Sequence, residues 1–225
     1  NAGFAVVGNL RMAQTDARMD EYMLYASTAE TCGVPYTFMT PDEIKAKWPL
    51  IKTDDLKGAL YHDTDGYINP ADVTMAMAKG ARQRGVMIER RWQADAFHWN
   101  GEAWEVTVTK MVEKGGNLVP SDEQVVITAE HVVTASGNHA QRTAQMPAIP
   151  VEHTFIVMDQ DPELVKWRAE GNPEHPVVRD ADNESYAREE RGGWILGIYE
   201  HGAPARFEYG VPDSFRADLF PLDLD

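Results

Sequence analysis

This 225-residue sequence has one cysteine, no apolar run of membrane-spanning length and no surplus of basic residues. A lone Cys32 excludes an intrachain disulfide and a thiolate zinc cluster. Its place before Gly33, at the end of a predicted helix, reads as that of a small buried hydrophobe. No stretch reaches the roughly 18 apolar residues that cross a bilayer. The segment from Asn1 to Asn9 has neither the basic start nor the long apolar core of a signal peptide. With 36 acidic against 21 basic residues, the net charge of −15 excludes nucleic acid and an anionic membrane as partners, since both are held by basic surface.

The common chemical signatures are missing as well. There is no G-x-G-x-x-G opening a helix after a strand, no phosphate-binding G-x-x-x-x-G-K-[ST], no H-E-x-x-H and no G-x-S-x-G. The seven histidines never fall four apart on one helix, so no metal site is expected. Hydrolase, kinase and zinc-enzyme readings lose their support.

What is present is a soluble-type alternation of helices and strands. Residues 3–13 read as a strand, and Thr15 or Asp16 opens a helix to about Cys32 with Met19, Tyr22, Met23, Ala26 and Ala29 on one face. Thr40-Pro41-Asp42-Glu43 is a capping box for a short helix that Pro49 ends. Leu56 to His62 reads as a strand. Asn69 then caps a helix with Pro70 at its first position, an apolar stripe of Val73, Met77, Gly80 and Ala81, and Gly85 as its stop. A β-meander is predicted over Val86–Arg91, Ala94–Trp99 and Ala103–Lys110, turned by Asn100-Gly101. Glu113 to Asp122 reads as a polar loop, followed by strands at 124–128 and 131–134. The last third is predicted as a strand at 151–158, a helix opened by Asp161-Pro162-Glu163, and strands at 176–179, 184–189 and 194–200. Arg191-Gly192-Gly193 turns the last hairpin, and a short helix starts near Pro212-Asp213. This order predicts an α+β fold with one interleaved α/β piece.

Three places can carry chemistry. In Val132-Val133-Thr134-Ala135-Ser136-Gly137 an apolar run enters a small-residue turn that a ligand can approach closely; an ordinary strand-to-helix turn reads the same way. His153 opens a strand, where an imidazole can orient a substrate or sit as a satisfied edge histidine. Tyr186 and Arg188 lie two apart and share a strand face, where a guanidinium fork and a phenol can grip a carboxylate. The competing reading of Arg188 is an ion pair with Glu189 or Glu200.

Taken together, several blocks resemble the sarcosine and dimethylglycine dehydrogenase branch of the D-amino-acid-oxidase-like flavoproteins. They are Ala46-Lys47-Trp48-Pro49-Leu50-Ile51, Gly66-Tyr67-Ile68-Asn69-Pro70, Ala78 to Gly85, Val151-Glu152-His153, Arg179-Asp180 with Tyr186-Ala187-Arg188-Glu189, and Leu196-Gly197-Ile198-Tyr199-Glu200. The resemblance runs along nearly the whole chain. It implies an FAD-dependent oxidoreductase acting on CH–NH groups, in which an N-methyl group of a small amino acid gives up hydride and the resulting iminium is hydrolysed or captured by tetrahydrofolate. Electron-transfer flavoprotein or oxygen would take the electrons. The resemblance places the protein in the bacterial cytoplasm or the mitochondrial matrix.

Residue by residue, the resemblance makes His153 and Tyr186 catalytic-pocket residues, and Arg188 is added from strand geometry as a carboxylate anchor. It sets Ala94 and the Ala135-Ser136-Gly137 turn against the adenine side of FAD. The implied fold is a mixed or antiparallel substrate-binding sheet with helices, plus an incomplete part of an FAD-binding α/β domain. The expected domains are 1–66 and 147–225 for the two parts of the substrate domain and 67–146 for the partial FAD-binding domain. Both ends, Phe4-Ala5-Val6-Val7 and Phe220-Pro221-Leu222, read as cut from something longer, and a few residues of the family pattern are expected to be missing between Gln145-Met146 and Pro147. The alternatives are a non-catalytic module that binds a small zwitterion, or a related flavin oxidase for another amino acid.

Overall fold

The computed structural model describes residues 2–140, 149–212, 215 and 219–220. The chain divides into two compact units, one of Asn1–Gly85 with His153–Gly202 and the other of Val86–Glu152 with Ala203–Asp225. The geometric boundaries therefore fall at 85/86, 152/153 and 202/203.

The first unit is built on a seven-stranded mixed sheet. Its strands are β2 (Asn9–Ala13), β3 (Thr37–Met39), β4 (Gly58–His62), β9 (Phe155–Val157), β10 (Val177–Asp180), β11 (Ser185–Glu190) and β12 (Gly193–Ile198). They lie in the order β3-β4-β2-β10-β11-β12-β9, and only the β2–β10 pair is parallel. A separate two-stranded ribbon pairs β1 (Phe4–Val6) with β5 (Gly66–Ile68).

Local chemistry explains the four helices of this unit. α1 (Asp16–Thr31) starts where the Thr15 hydroxyl accepts the Arg18 N–H. α2 (Pro41–Lys47) carries the complete capping box between Thr40 and Glu43. α3 (Pro70–Gln83) is capped by Asn69, and α4 (Pro162–Ala169) by Asp161. Tyr22 and Ala26 of α1 pack on Ala13 and Leu60, on one face of the sheet. Ile44, Trp48, Ile51 and Leu56 close over Leu10, Ala59, Tyr61 and Val178 on the other.

The second unit holds an antiparallel meander of β6 (Trp92–Trp99), β7 (Trp104–Lys114) and β8 (Asn117–Ala129). Among the described residues no helix is long and apolar enough to cross a membrane.

Several expectations change. Cys32 is exposed, because α1 packs only as far as Ala29 and residues 30–35 all lie open to solvent. Met77 of the predicted α3 stripe is also exposed, while Val73, Ala76, Gly80 and Ala81 are half-buried. Residues 113–122 are not a loop: β7 and β8 run through them and turn at Gly115 and Gly116, both with positive φ. The polar composition misled because most residues beyond this turn are solvent-exposed on both faces. Residues 86–91 and 131–134 form no ladder; Arg91 takes a left-handed φ of 62° just before β6 begins. Of 151–158, only Phe155–Val157 joins the large sheet, and Val151 makes an isolated bridge to Ala205. The expected helix start at Asp213 and the junction at 145–147 lie outside the described residues.

Candidate functional site

The strand register sets one row of side chains across a single face of the large sheet. Leu60, Arg11, Arg179, Tyr186, Gly197 and Phe155 are successive cross-strand partners from β4 to β9, so all six share that face. His153, two residues before Phe155, and Tyr199, two after Gly197, meet Tyr186 at the end of this row.

The resulting cluster is well connected. His153 Nε2 and the Tyr186 hydroxyl are hydrogen-bonded at 3.0 Å. On its other edge, His153 Nδ1 faces Glu200 Oε2 at 3.4 Å. Glu200 Oε1 in turn accepts the backbone N–H of Thr154 at 2.8 Å. The imidazole lies between two phenols, stacked at 5.9 Å from the Tyr186 ring and 5.7 Å from the Tyr199 ring.

A glycine makes the arrangement possible. A methyl group at Gly197 would come within 2.0 Å of Tyr186 Cζ, so the phenol occupies space that any other residue would fill.

The charges follow from these contacts. Glu200 is held below the usual carboxylate range by its own backbone N–H and that of Thr154, with the hydroxyl of Thr154 and the imidazole of His153 adding to the effect. Burial pushes the Tyr186 phenol up, and Tyr199 and Glu200 push it the same way. An ionised Glu200 favours a proton on Nδ1 of His153, which leaves Nε2 to accept from the Tyr186 O–H. The lone pairs of the phenol oxygen are then free to receive a donor from the open side of the sheet.

Of the sequence-predicted residues, the structure brings His153 and Tyr186 together. Arg188 shares their face, as its spacing predicts, but its guanidinium is engaged. It pairs with Glu190 at 2.8 Å, donates to the Glu189 carbonyl at 2.9 Å and covers the Tyr67 ring at 4.7 Å. Ala94 lies on β6 beside a bulge, paired with Val108. Ala135, Ser136 and Gly137 lead into a 3-10 turn at Gly137–His139, with Gly137 at a φ of 55°. β6 and β8 flank β7 and do not pair with each other, so no ladder joins Ala94 to that turn. Tyr199 and Glu200 were missed as site residues, and only the β11–β12 and β12–β9 registers reveal them.

A dinucleotide needs a cradle for its pyrophosphate, most simply an uncapped helix N-terminus. None of the four described helices offers one. Each N-terminus is filled by its own cap, and each first turn carries a carboxylate: Asp16, Asp42 with Glu43, Asp72, and Glu163. The described helix N-termini thus do not fit the pyrophosphate of FAD.

Comparison with known proteins gives this face a context. Residues 1–220 match the family described as FAD dependent oxidoreductase. Mitochondrial dimethylglycine dehydrogenase of Rattus norvegicus is 30% identical over 99% of this chain and 25% of its own length. Mitochondrial sarcosine dehydrogenase of Homo sapiens is 28% identical over 100% of this chain and 23% of its own length. The chain therefore spans about a quarter of the length of these relatives. Among solved structures, L-proline dehydrogenase from P. horikoshii superposes with a TM-score of 0.68 at 22% identity, covering 89% of this chain and 51% of that one.

Proposed function

The chain belongs to the FAD-dependent oxidoreductase family, and we propose that it supplies the substrate-facing sheet of an amine dehydrogenase or oxidase acting on N-methyl amino acids such as dimethylglycine or sarcosine. The observation that carries this reading is the Glu200–His153–Tyr186 relay on an open sheet face.

The relay is suited to an amine. A small amino acid arrives as an ammonium ion, which has no lone pair and cannot be oxidised at the neighbouring carbon until it loses a proton. The Tyr186 oxygen accepts an ammonium N–H as its own proton passes to His153 Nε2, and the imidazolium so formed is balanced by Glu200. Tyr199, stacked on the imidazole, holds the ring in place. FAD, the oxidant that defines the family, would complete the reaction on the protein's behalf. Its pyrophosphate must be held by residues other than those described, and Ala94 with the Ala135–Gly137 turn is proposed to meet only the adenine side.

The whole protein is proposed to act in the mitochondrial matrix, as the names of its relatives suggest for a eukaryotic source, or in the bacterial cytoplasm. Electron-transfer flavoprotein or oxygen is proposed as its acceptor, and tetrahydrofolate as a further cofactor of the full-length form.

The test is to express a polypeptide of the relatives' length that contains this chain. It should be yellow, and anaerobic addition of dimethylglycine or sarcosine should bleach its flavin band and yield formaldehyde or methylene-tetrahydrofolate. A colourless protein that binds dimethylglycine would turn the reading to a zwitterion-binding module. A flavoprotein bleached only by other amino acids would turn it to a different substrate.

A further inference from the structure

The face of the large sheet opposite the Tyr186 row holds a cavity that the relay does not use. Tyr61 follows Leu60 on β4 and so points to this other face, where it packs with Trp48. The cavity measures about 460 Å³, within the range of small-molecule sites, about 300–1,000 Å³. Lys47, Trp48, Tyr61, Asp63 and Glu174 line it, with Val6 of β1 beside them.

Its aromatic wall grows out of a helix stop. Pro49 disfavours a helical conformation at the residue before it, and Trp48 accordingly leaves α2 at a φ of −134° and a ψ of 82°. The indole then meets the Tyr61 ring edge-on, with centroids 5.1 Å apart and planes at 62°. The two rings form a corner. The ammonium of Lys47 occupies it, 4.7 Å from the Trp48 ring and 4.5 Å from the Tyr61 ring.

The cation held there has rings for partners and no anion. Lys52, Lys57 and Lys110 each reach a carboxylate, whereas Lys47 makes no ion pair or hydrogen bond with any described residue. Its N–H donors are left to solvent. Of the two carboxylates in the cavity, Glu174 is taken by the Tyr67 hydroxyl at 2.9 Å and by Arg168 at 3.7 Å. Asp63 is exposed and has no partner among the described residues. Burial pushes the Tyr61 phenol up, and Asp63 lies close enough to push it the same way. Ring faces that attract a cation, a carboxylate left over and room to admit a ligand thus come together in one place.

We propose that this corner is a second binding site, for a quaternary or tertiary methylammonium ion, with Lys47 as its own competitor. The lysine ammonium is the stand-in for the ligand. A methylated ammonium suits the corner better, because its methyl groups spread the charge onto the ring faces. It brings no N–H to satisfy, or a single one that Asp63 can accept. Lys47 is the last residue of α2 and is exposed, so it can leave by side-chain rotation alone. The inference does not draw on the function proposed above, since the corner lies on the sheet face away from Tyr186.

The test needs neither flavin nor turnover. Tetramethylammonium is titrated into the 225-residue chain and followed by the NMR ring resonances of Trp48 and Tyr61. Lys47→Ala should bind it about 3- to 30-fold more tightly than the wild type, the span of a cation–π contact from exposed to desolvated. Lys47→Arg, which keeps a competing cation, should bind it like the wild type. Asp63→Asn in the Lys47→Ala background should weaken binding several-fold with no fall in Tm, because Asp63 is exposed and unpaired. Choline should also bind Lys47→Ala, and far more tightly than its uncharged carbon isostere. The assignment is overturned if neither ring responds in Lys47→Ala, or if wild type and Lys47→Ala bind equally. Equal binding of choline and its isostere, or an Asp63→Asn change without effect, would overturn it as well.

Discussion

The phenol of Tyr186 lies over the Cα of Gly197, its partner across the β11–β12 ladder, with no room between them for a single methyl group. Gly197→Ala should therefore lift the ring and break its 3.0 Å hydrogen bond to His153. Overpacking of this kind costs about 1–3 kcal/mol, read as a fall of several degrees in Tm. In the flavoprotein the displaced phenol should lower kcat/KM by roughly 100-fold, the scale of an ångström-sized misplacement.

Tyr186→Phe removes the hydroxyl and leaves the ring in place. Stability should change by no more than about 1 kcal/mol, the net worth of one hydrogen bond. Turnover of N-methyl amino acids should fall, and its pH profile should move because His153 loses its partner. A large drop in Tm with normal turnover would place the hydroxyl in a structural network.

Asp161 does two jobs. Its Oδ1 accepts the Glu163 N–H at the start of α4, and its Oδ2 accepts the Trp194 indole N–H at 2.9 Å. Asp161→Ala should cost about 1–2 kcal/mol, the upper range for a helix cap, because an indole donor is left unpaired as well. Denaturant unfolding monitored by tryptophan fluorescence would read both effects.

The same carboxyl predicts an acid limb. The indole N–H of Trp194 and the backbone N–H groups of α4 hold Asp161 below the usual carboxylate range, and backbone N–H groups do the same for Glu200. Groups with a depressed folded pKa stabilise the fold above their unfolded values, about 3.9 for Asp and 4.3 for Glu. That stability is lost as pH falls through the folded values. Stability measured between pH 6 and pH 3 should be level at first and then fall below about pH 4. Asp161→Asn should shrink that fall.

Trp48 is 2% exposed and edge-on to Tyr61 at 5.1 Å, beside Ile44 and Leu10. Trp48→Ala should cost about 3–5 kcal/mol, the range for an aromatic lost from a closed core. A smaller loss in a denaturant titration would mean that α2 collapses into the gap.

The helices were legible in the sequence because their signals are local. Thr15, Thr40 with Glu43, Asn69 and Asp161 each announce a start within three residues, and each is found capping. The Gly115-Gly116 turn was equally local, but Glu113, Lys114 and Asn117 beside it are polar and exposed, and the few apolar residues there, Val112, Leu118 and Val119, offered no clear alternation to read. His153 and Tyr186 were legible only through family resemblance; nothing in spacing brings residues 153 and 186 to 3.0 Å. Arg11, Arg179, Tyr199 and Glu200 were hidden for a related reason. Their neighbourhood is set by sheet register, and register joins strands from distant parts of the chain.

The parallel ladder between β2 and β10 bears on how the molecule comes into being. β2 is made well before its neighbour β10, with residues 86–152 of the second unit made between them. Until then β2 has β4 on one edge and an unpaired edge on the other. Contacts of such high sequence separation form slowly. The surface that would recognise a substrate is thus complete only after β10 has been made, and a nascent chain halted before residue 177 would present an open sheet edge in its place.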